Sequence, residues 1–292
     1  MLHFLPFYSK IEQSKHKDRQ KMTNKNQKYE ICDAHCHIFP EKIAVKAAES
    51  IGTFYDLPMF SASGSPAALI KSGRKIGVSH YLVCSAATAA HQVESINRFI
   101  LSECESHPEF IGFGTLHPDY GKIDEEIDFL TLHKLRGIKL HPDFQNFNID
   151  DKRAYPIYEA AEKARLPILF HTGDPRLDYS SPVRLKHILK DFPHLTVIAA
   201  HFGGWQRWKE AASALADEEN VVFDTSSTIP FLKDADVRSL ISAYGTDRLF
   251  FGTDFPMWKH DEALEHFLNL GLTDRENRAI LSENFKTFFS ID

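Results

Sequence analysis

Residues 31–37 read Ile-Cys-Asp-Ala-His-Cys-His, and the chain reaches Pro40 shortly afterwards. This short apolar run predicts a buried strand that ends before the proline, which places two imidazoles at its carboxyl end. Because side chains alternate along a strand, Asp33, His35 and His37 are predicted to share one face. Two imidazoles that converge on one face suit a divalent cation, and a hydrogen-bonded pair of core histidines is the structural alternative.

Seven further apolar runs follow, and amphipathic helical patterns separate them. This alternation is typical of parallel βαβ units, and a spacing of roughly 25 to 30 residues predicts an α/β fold, a single (β/α)8 TIM barrel. A doubly wound open sheet is the alternative, but its first strand usually leads into a glycine-rich turn rather than into histidines. The predicted strands are residues 31–38, 80–85, 110–116, 137–140, 167–170, 196–200, 221–224 and 248–251.

Helices are predicted where apolar residues recur at intervals of three and four. The longest interval separates the first two strands, and its residues 57–66, rich in proline, serine and glycine, are predicted to form a lid over the site. The predicted helices are residues 93–104, 123–135, 155–164, 184–190, 237–243, 261–270 and 274–284.

The first 29 residues are predicted to form a disordered extension, because the apolar residues 2–8 lead into a long polar run rather than into a core pattern. Met22 is a candidate for the native start of the chain. Residues 30–292 are predicted to form the barrel as one domain.

Composition and charge favour a small-molecule substrate over a polyanion. The formal net charge is -6 and the basic residues are scattered, so no nucleic-acid binding is predicted. No apolar run approaches the roughly 20 residues that span a bilayer, so no membrane association is expected. The four cysteines form no C-x-x-C pair, which suits a reducing, cytoplasmic setting. A symmetric homodimer is the commonest expectation for assembly.

Residues that bind metals also stand at three other predicted strand ends. His171 and His201 directly follow apolar runs, and Asp254 comes shortly after the last one. Because the carboxyl ends of barrel strands open onto one face, we expect these side chains to meet the first two histidines there. Packing requires neither histidine nor aspartate at these positions, so their joint occurrence indicates a functional site.

Taken together, His35-x-His37, His171, His201 and Asp254 resemble the amidohydrolase superfamily in order and in strand position. The resemblance extends over about residues 31–290.

The motifs of the later strands resemble one branch of that superfamily, the amidohydrolase-related branch. It includes aminocarboxymuconate-semialdehyde decarboxylase, lactone hydrolases and many predicted metal-dependent hydrolases. The motifs are Gly-Ile-Lys-Leu-His-Pro at 137–142, His-Thr-Gly at 171–173, Ala-His-Phe-Gly-Gly at 200–204 and Phe-Gly-Thr-Asp-Phe-Pro at 251–256.

The resemblance implies one divalent metal ion, most readily Zn2+ and alternatively Mn2+, held by His35, His37, His171 and Asp254. Such a cation lowers the pKa of a bound water towards 7. The resemblance also implies two catalytic residues. His201 is the proton shuttle, because its unperturbed pKa lies near neutral pH, and Asp254 is a further proton acceptor.

Four further residues are predicted around this centre. Asp33 is expected to orient the ligands from behind. Lys139 and His141 share the interior face of the fourth strand and are predicted to bind substrate, Lys139 through a carboxylate. In two-metal members of the superfamily a lysine on this strand is carboxylated and bridges the metals, which is the alternative for Lys139; capping of a turn is the alternative for His141. Arg176, in the loop after the fifth strand, is predicted to pair with a substrate carboxylate.

The leading functional prediction is a metal-dependent hydrolase that cleaves a C–O or C–N bond of a small, carboxylated compound with activated water. The alternative is non-oxidative decarboxylation at the same site. A barrel that binds a ligand without turnover is less favoured, since His201 and Asp254 are both present. A metal-dependent nuclease or phosphoesterase typically carries a glutamate near the fourth strand, where this chain has Lys139 and His141. His260, like the other histidines of helices and distal loops, is expected to be solvated.

Overall fold

The computed structural model describes residues 28–291, and these contain a sheet of eight parallel strands in which each strand pairs with the next along the chain. The sheet confirms the predicted α/β barrel, and every predicted strand is present within two residues of its expected ends. The strands are β1 Ile31–His37, β2 Val78–Cys84, β3 Phe110–Thr115, β4 Gly137–Leu140, β5 Ile168–Phe170, β6 Val197–Ala199, β7 Val221–Asp224 and β8 Leu249–Phe250.

The last strand returns to the first and nearly closes the barrel. The backbone amide of Ala34 donates to the carbonyl of Phe251 at 2.8 Å, and the amide of His37 donates to the carbonyl of Phe255 at 2.7 Å. The first strand and the segment after the last strand are therefore joined along one seam, and the residues that follow β1 and β8 lie side by side.

Helices lie at each position that the apolar periodicity predicts, and further helices follow the first, fourth and sixth strands, where none was predicted. Two helices, α1 and α2, fill the long interval after β1 in addition to the segment predicted as a lid. The helices are α1 Glu41–Tyr55, α2 Pro66–Gly73, α3 Val93–Ser106, α4 Ile123–Leu132, α5 Pro142–Gln145, α6 Tyr155–Ala164, α7 Pro182–Asp191, α8 Trp208–Leu215, α9 Asp234–Tyr244, α10 His260–Leu268, α11 Asp274–Arg278 and α12 Asn284–Phe289, with a π-helical turn at Ala279–Glu283.

Apolar side chains fill the lower part of the barrel interior. Leu82, Phe113, Leu169 and Ile198 meet there, and Phe289 of α12 packs against them from below. A separate and larger cluster lies between the strands and the surrounding helices. Because the lower end is packed with side chains, the open end for a ligand is the one formed by the carboxyl ends of the strands.

An irregularity in β1 corrects the predicted direction of Asp33. The pairing with β2 shifts register between Asp33 and Cys36. Ala34 belongs to the interior cluster, and the next residue, His35, also points inward, whereas Cys36 packs in the outer layer. A bulge of this kind breaks the alternation of side chains. Asp33 therefore faces outward to helix α10, where its Oδ2 lies 3.0 Å from His260 Nε2.

The described chain begins two residues earlier than the predicted domain. Lys28 forms an ion pair with Asp274 at 2.6 Å, and the Tyr29 hydroxyl donates to the same carboxylate at 2.7 Å. Residues 28 and 29 are thus part of the barrel, while the rest of the predicted extension, including Met22, lies outside the described residues. Between residues 28 and 291 no helix has the length and apolar character needed to cross a bilayer.

Candidate metal centre and substrate cleft

Four side chains meet at the mouth of the barrel: His35 and His37 from the first strand, Lys139 from the fourth, and Asp254 from the segment after the eighth. His35 Nε2 lies 3.2 Å from His37 Nε2, and Asp254 Oδ1 lies 3.3 Å from the latter atom and 3.6 Å from the former. Lys139 Nζ approaches His35 Nε2 from below at 3.0 Å. These side chains are largely buried, so they form one compact polar cluster at the top of the packed interior.

Asp224, the last residue of β7, fixes the orientation of His35. Its Oδ2 lies 2.9 Å from His35 Nδ1, and neither side chain is exposed to solvent. Burial raises the pKa of this carboxyl, but the imidazole of His35 more than offsets it and holds the pKa at about 2. An ionised carboxylate only accepts hydrogen bonds, so Nδ1 carries the hydrogen and the lone pair of His35 lies on Nε2, inside the cluster.

The same reasoning assigns the tautomers of His171 and His201. His171 Nε2 lies 3.0 Å from the Gly173 carbonyl oxygen, which can only accept, so the lone pair of His171 lies on Nδ1. Ser226 Oγ donates its single hydrogen to Asp224, so it accepts from His201 Nδ1 at 2.9 Å. The lone pair of His201 then lies on Nε2, which is 3.0 Å from His171 Nδ1.

This set of atoms fits a divalent cation. Two lone pairs that face each other at 3.0 Å repel unless a proton or a cation lies between them. His35, His201 and Asp254 offer ligand atoms that all lie within 4.8 Å of one another, and His37 adjoins them. Imidazole nitrogens with one carboxylate oxygen suit zinc, manganese and related ions. His171 reaches the cluster through His201 and presents the nitrogen that carries its lone pair.

Asp254 is held by residues of the neighbouring loop. Ser227 Oγ donates to Asp254 Oδ2 at 2.6 Å and accepts from the indole nitrogen of Trp258 at 2.8 Å. These contacts leave Asp254 Oδ1 for the two histidines of β1. Asp254 and His201 both have left-handed backbones, with φ of 56° and 60°. Non-glycine residues adopt this conformation at a cost of about 1 kcal/mol, and such strain concentrates at functional sites.

Lys139 is fully buried beneath the cluster. Burial lowers the pKa of its ammonium group, because the charged form loses its hydration. A neutral amine donates to the lone pair of His35, and it is also the form that reacts with carbon dioxide to give a carbamate. The substrate contact and the metal bridge both stay predictions for Lys139.

Asp33 contacts the site through the backbone rather than through the histidine rings. Its Oδ1 accepts from the amides of His35 and Thr253, both at 3.0 Å, and its Oδ2 accepts from the Thr253 hydroxyl at 2.5 Å. Asp33 thus joins β1 to the segment after β8, close to both ends of the cluster. Its neighbour His260 is completely buried, which corrects the expectation that this histidine is solvated. Its Nδ1 lies 2.9 Å from the Ser72 hydroxyl of α2.

Three parallel rings form one wall of the mouth. The rings of His171 and His141 are stacked with centroids 4.0 Å apart, and those of His141 and Phe144 with centroids 3.7 Å apart. The amide of Phe144 donates to His141 Nδ1 at 3.3 Å, so His141 caps the short helix α5 as well as lining the mouth. Tyr55, at the end of α1, places its hydroxyl 2.9 Å from His141 Nε2.

A narrow cleft lies above the cluster. Its floor is polar and its upper wall is apolar, and the apolar side chains come from α1, from the predicted lid segment and from the loops after β4 and β8. The lining residues are His37, Ile51, Tyr55, Met59, His141, Phe144, His171, Asp254, Pro256 and Met257.

Arg176 forms an ion pair within its own loop. Two nitrogens of its guanidinium donate to the carboxylate of Asp174, Nη2 to Oδ2 at 2.7 Å and Nε to Oδ1 at 3.0 Å. A further nitrogen donates to the Phe54 carbonyl at 2.5 Å. The side chain is 43% exposed and lies outside the cleft lining, so substrate binding by Arg176 stays a prediction without support from this geometry.

Several residues of the site escaped the sequence analysis. Asp224 ends an apolar run, and the rule that identified His171 applies to it as well. Tyr55 lies on helix α1, which was not among the predicted helices. Asp143, also missed, is buried with no hydrogen-bond partner for either carboxylate oxygen among residues 28–291, and its Oδ2 lies 3.7 Å from His171 Nε2.

Comparison with known families gives one match that covers most of the chain. Residues 32–290 match the family model described as Amidohydrolase. Among curated proteins, the chain is 25% identical over 210 residues to the uncharacterized protein y4mH of Sinorhizobium fredii (strain NBRC 101917 / NGR234). That match covers 60% of this chain and 66% of the other, so the chain spans just under two thirds of that protein.

Solved structures share the fold at low sequence identity. An uncharacterized TIM-barrel protein from Bordetella bronchiseptica superposes with a TM-score of 0.74 at 19% identity and covers 89% of this chain and 98% of its own. A 5-carboxyvanillate decarboxylase from Novosphingobium aromaticivorans, with bound manganese and 3-methoxy-4-hydroxy-5-nitrobenzoic acid, gives a TM-score of 0.68 at 14% identity. That match covers 90% of this chain and 97% of the other.

Proposed function

The chain belongs to the amidohydrolase family, and on that premise we propose that it is a metal-dependent decarboxylase of a small carboxylic acid. The observation that carries the proposal is the narrow cleft, whose upper wall of Ile51, Met59, Phe144 and Met257 is apolar. A carboxylate loses hydration on entering such a cleft, whereas carbon dioxide, the neutral product, needs none. The manganese-containing decarboxylase of the same fold supports this reaction class.

One divalent cation, zinc or manganese, is assigned to His35, His37, His171 and Asp254. When bound there, such a cation supplies Lewis acidity that polarises an oxygen of the substrate. The residues around it keep the imidazole lone pairs directed inward: Asp224 does so for His35, and the Gly173 carbonyl does so for His171. These contacts already hold the imidazole rings in place. The rings therefore lose less conformational freedom when they bind a cation.

The reaction requires one proton on carbon. The bond between the substrate carbon and its carboxylate breaks, the electron pair stays on that carbon, and the carbon takes a proton as carbon dioxide leaves. The proton comes from solvent: the lone pair of His201 Nε2 takes it up and passes it to the carbon, and Asp254 Oδ1, which also borders the cluster, is a second acceptor for it. Burial lowers the pKa of His201 to about 4, so at neutral pH the ring is neutral and relays a proton rather than storing a charge.

Hydrolysis by metal-activated water, the leading prediction from sequence, is the second candidate. It is favoured by Asp254, whose Oδ1 faces the cluster and can accept a proton from water. The apolar upper wall argues for decarboxylation instead, because hydrolysis needs water beside the substrate.

The deciding experiment supplies the metal-loaded protein with two panels of compounds. Carboxylated phenols and unsaturated acids test release of carbon dioxide, and lactones and amides test release of acid. We expect metal-dependent carbon dioxide release that is lost in Asp254→Asn. Turnover of lactones or amides without carbon dioxide would replace the proposal with hydrolysis, and saturable binding without any turnover would favour the non-catalytic barrel.

A further inference from the structure

The hydroxyl of Tyr55 has unused hydrogen-bonding capacity inside the cleft. Tyr55 is the last residue of α1 and is only 9% exposed, and its hydroxyl oxygen lies between His141 Nε2 at 2.9 Å and His171 Nε2 at 3.3 Å. Its ring packs edge-on against Trp205, with centroids 5.0 Å apart. Helix α1 therefore places the Tyr55 hydroxyl at the edge of the stacked rings of His171 and His141.

Hydrogen positions on the two imidazoles determine what this hydroxyl can do. The amide of Phe144 donates to His141 Nδ1, so the hydrogen of neutral His141 lies on Nε2 and is donated to the Tyr55 oxygen. His171 Nε2 donates to the Gly173 carbonyl at 3.0 Å, so it has no lone pair for Tyr55. The phenolic hydrogen of Tyr55 thus has no acceptor within hydrogen-bond distance among residues 28–291.

The surroundings of Tyr55 also indicate the charge of the missing acceptor. Asp143 Oδ2 lies 3.7 Å from the same His171 nitrogen that Tyr55 approaches, and its buried carboxylate accepts no hydrogen bond from the described part of the chain. At neutral pH, where Asp143 is ionised, a second anion at this point would be repelled, and the nearby Arg176 is already paired with Asp174. An uncharged oxygen does not meet this repulsion.

We infer that Tyr55 is a specificity-determining residue that donates a hydrogen bond to an uncharged oxygen substituent of the substrate, a hydroxyl, carbonyl or alkoxy group. This inference rests on the proposed function, and we place the carboxylate of the same molecule over the metal ligands. The substrate class is therefore a carboxylic acid with an oxygen substituent at the end of the molecule that reaches α1. An acid without this oxygen leaves the Tyr55 hydrogen unpaired in a buried cleft.

The test compares matched ligands in the metal-loaded protein and in Tyr55→Phe. Dissociation constants are measured by calorimetry for benzoate and for 2-, 3- and 4-hydroxybenzoate. We expect at least one hydroxybenzoate to bind the parent protein about 10- to 100-fold more tightly than benzoate, and Tyr55→Phe to abolish that difference while changing benzoate affinity less than about 2-fold. The comparison within each protein cancels any general effect of leaving His141 unpaired.

Tyr158→Phe is the matched control, because Tyr158 is a buried tyrosine of the outer layer whose hydroxyl donates to the Ile149 carbonyl at 2.7 Å. It should keep the full preference for the hydroxylated ligand. An unchanged preference in Tyr55→Phe, an equal loss for benzoate, or no preference in the parent protein would each overturn the inference and leave the decarboxylase proposal intact. Failure of all four acids to bind the parent protein would overturn the inference, and it would reject the decarboxylase proposal as well if no carboxylated phenol or unsaturated acid released carbon dioxide.

Discussion

Asp224 Oδ2 lies 2.9 Å from His35 Nδ1, and neither side chain is exposed to solvent. This pair connects the seventh strand to the first across the barrel mouth, and it is the contact that turns the His35 lone pair towards the cluster. A carboxylate behind a ligand histidine also makes that histidine a stronger donor to a cation.

Asp224→Asn should therefore weaken metal binding by about 10- to 100-fold, since the amide keeps the shape of the side chain but removes its charge. Metal titration of the metal-free protein with a competing chelator measures this change. Asp150→Asn is the control, because Asp150 pairs with Arg184 on the outer surface at 2.7 Å. Equal affinities in the Asp224 variant and the parent protein would show that His35 does not depend on this carboxylate.

Elemental analysis should find about one equivalent of zinc or manganese in the purified protein and none in His171→Ala. His117→Ala, which removes another buried histidine at a strand end, should retain the metal. Two equivalents in the parent protein would instead indicate that Lys139 is carboxylated and bridges two ions.

Ser227→Ala should reduce the free energy of unfolding by about 1 to 3 kcal/mol, because it removes the partner of both Asp254 and the Trp258 indole in a buried site. Denaturant titration measures the loss. Ser239→Ala is the control, since this exposed hydroxyl only contacts a carbonyl of its own helix, and we expect a change below about 0.5 kcal/mol. Matching values for the two variants would mean that the Ser227 contacts contribute nothing to stability.

Asp143 should make the metal-free protein less stable as pH rises. Burial raises the pKa of this carboxyl to about 6, so between pH of about 4 and 6 the folded protein keeps a proton that the unfolded chain has released. Stability then falls with rising pH over this range. Asp143→Asn cannot ionise and should exceed the parent protein at pH 7 by up to about 3 kcal/mol, with little difference near pH 4. Parallel stability curves for the two proteins, measured by denaturant titration from pH 4 to 7, would contradict this assignment.

The strands and most of the cluster could be predicted because they depend on local signals. An apolar run marks each strand, and His171 and His201 follow such runs directly. The predicted direction of the Asp33 side chain was wrong. The prediction assumed that side chains alternate between the two faces throughout β1, whereas a bulge interrupts this alternation. Bulges depend on the pairing of two strands, and one strand's sequence does not reveal that register.

Contacts between distant elements account for the other gaps. Burial of His260 depends on the packing of α10 against Asp33 and Ser72, which periodicity in either segment does not show. Tyr55 occupies the cleft only because α1 folds back over the mouth. Neither its sequence neighbours nor its residue type indicates this position, since a tyrosine at a helix end is usually explained by packing alone.

The seam between β1 and the segment after β8 also constrains the order of events during folding. Asp33 and Thr253 are 220 residues apart in sequence, yet their contact sets the spacing between the β1 histidines and Asp254. Closing so long a loop is among the entropically costly steps for this chain, so the candidate ligand set is complete only once the first and last strands have met. A nascent chain that has not yet released its C-terminal segment lacks Asp254 beside the two β1 histidines, so a metal that requires all three would bind only after translation is complete.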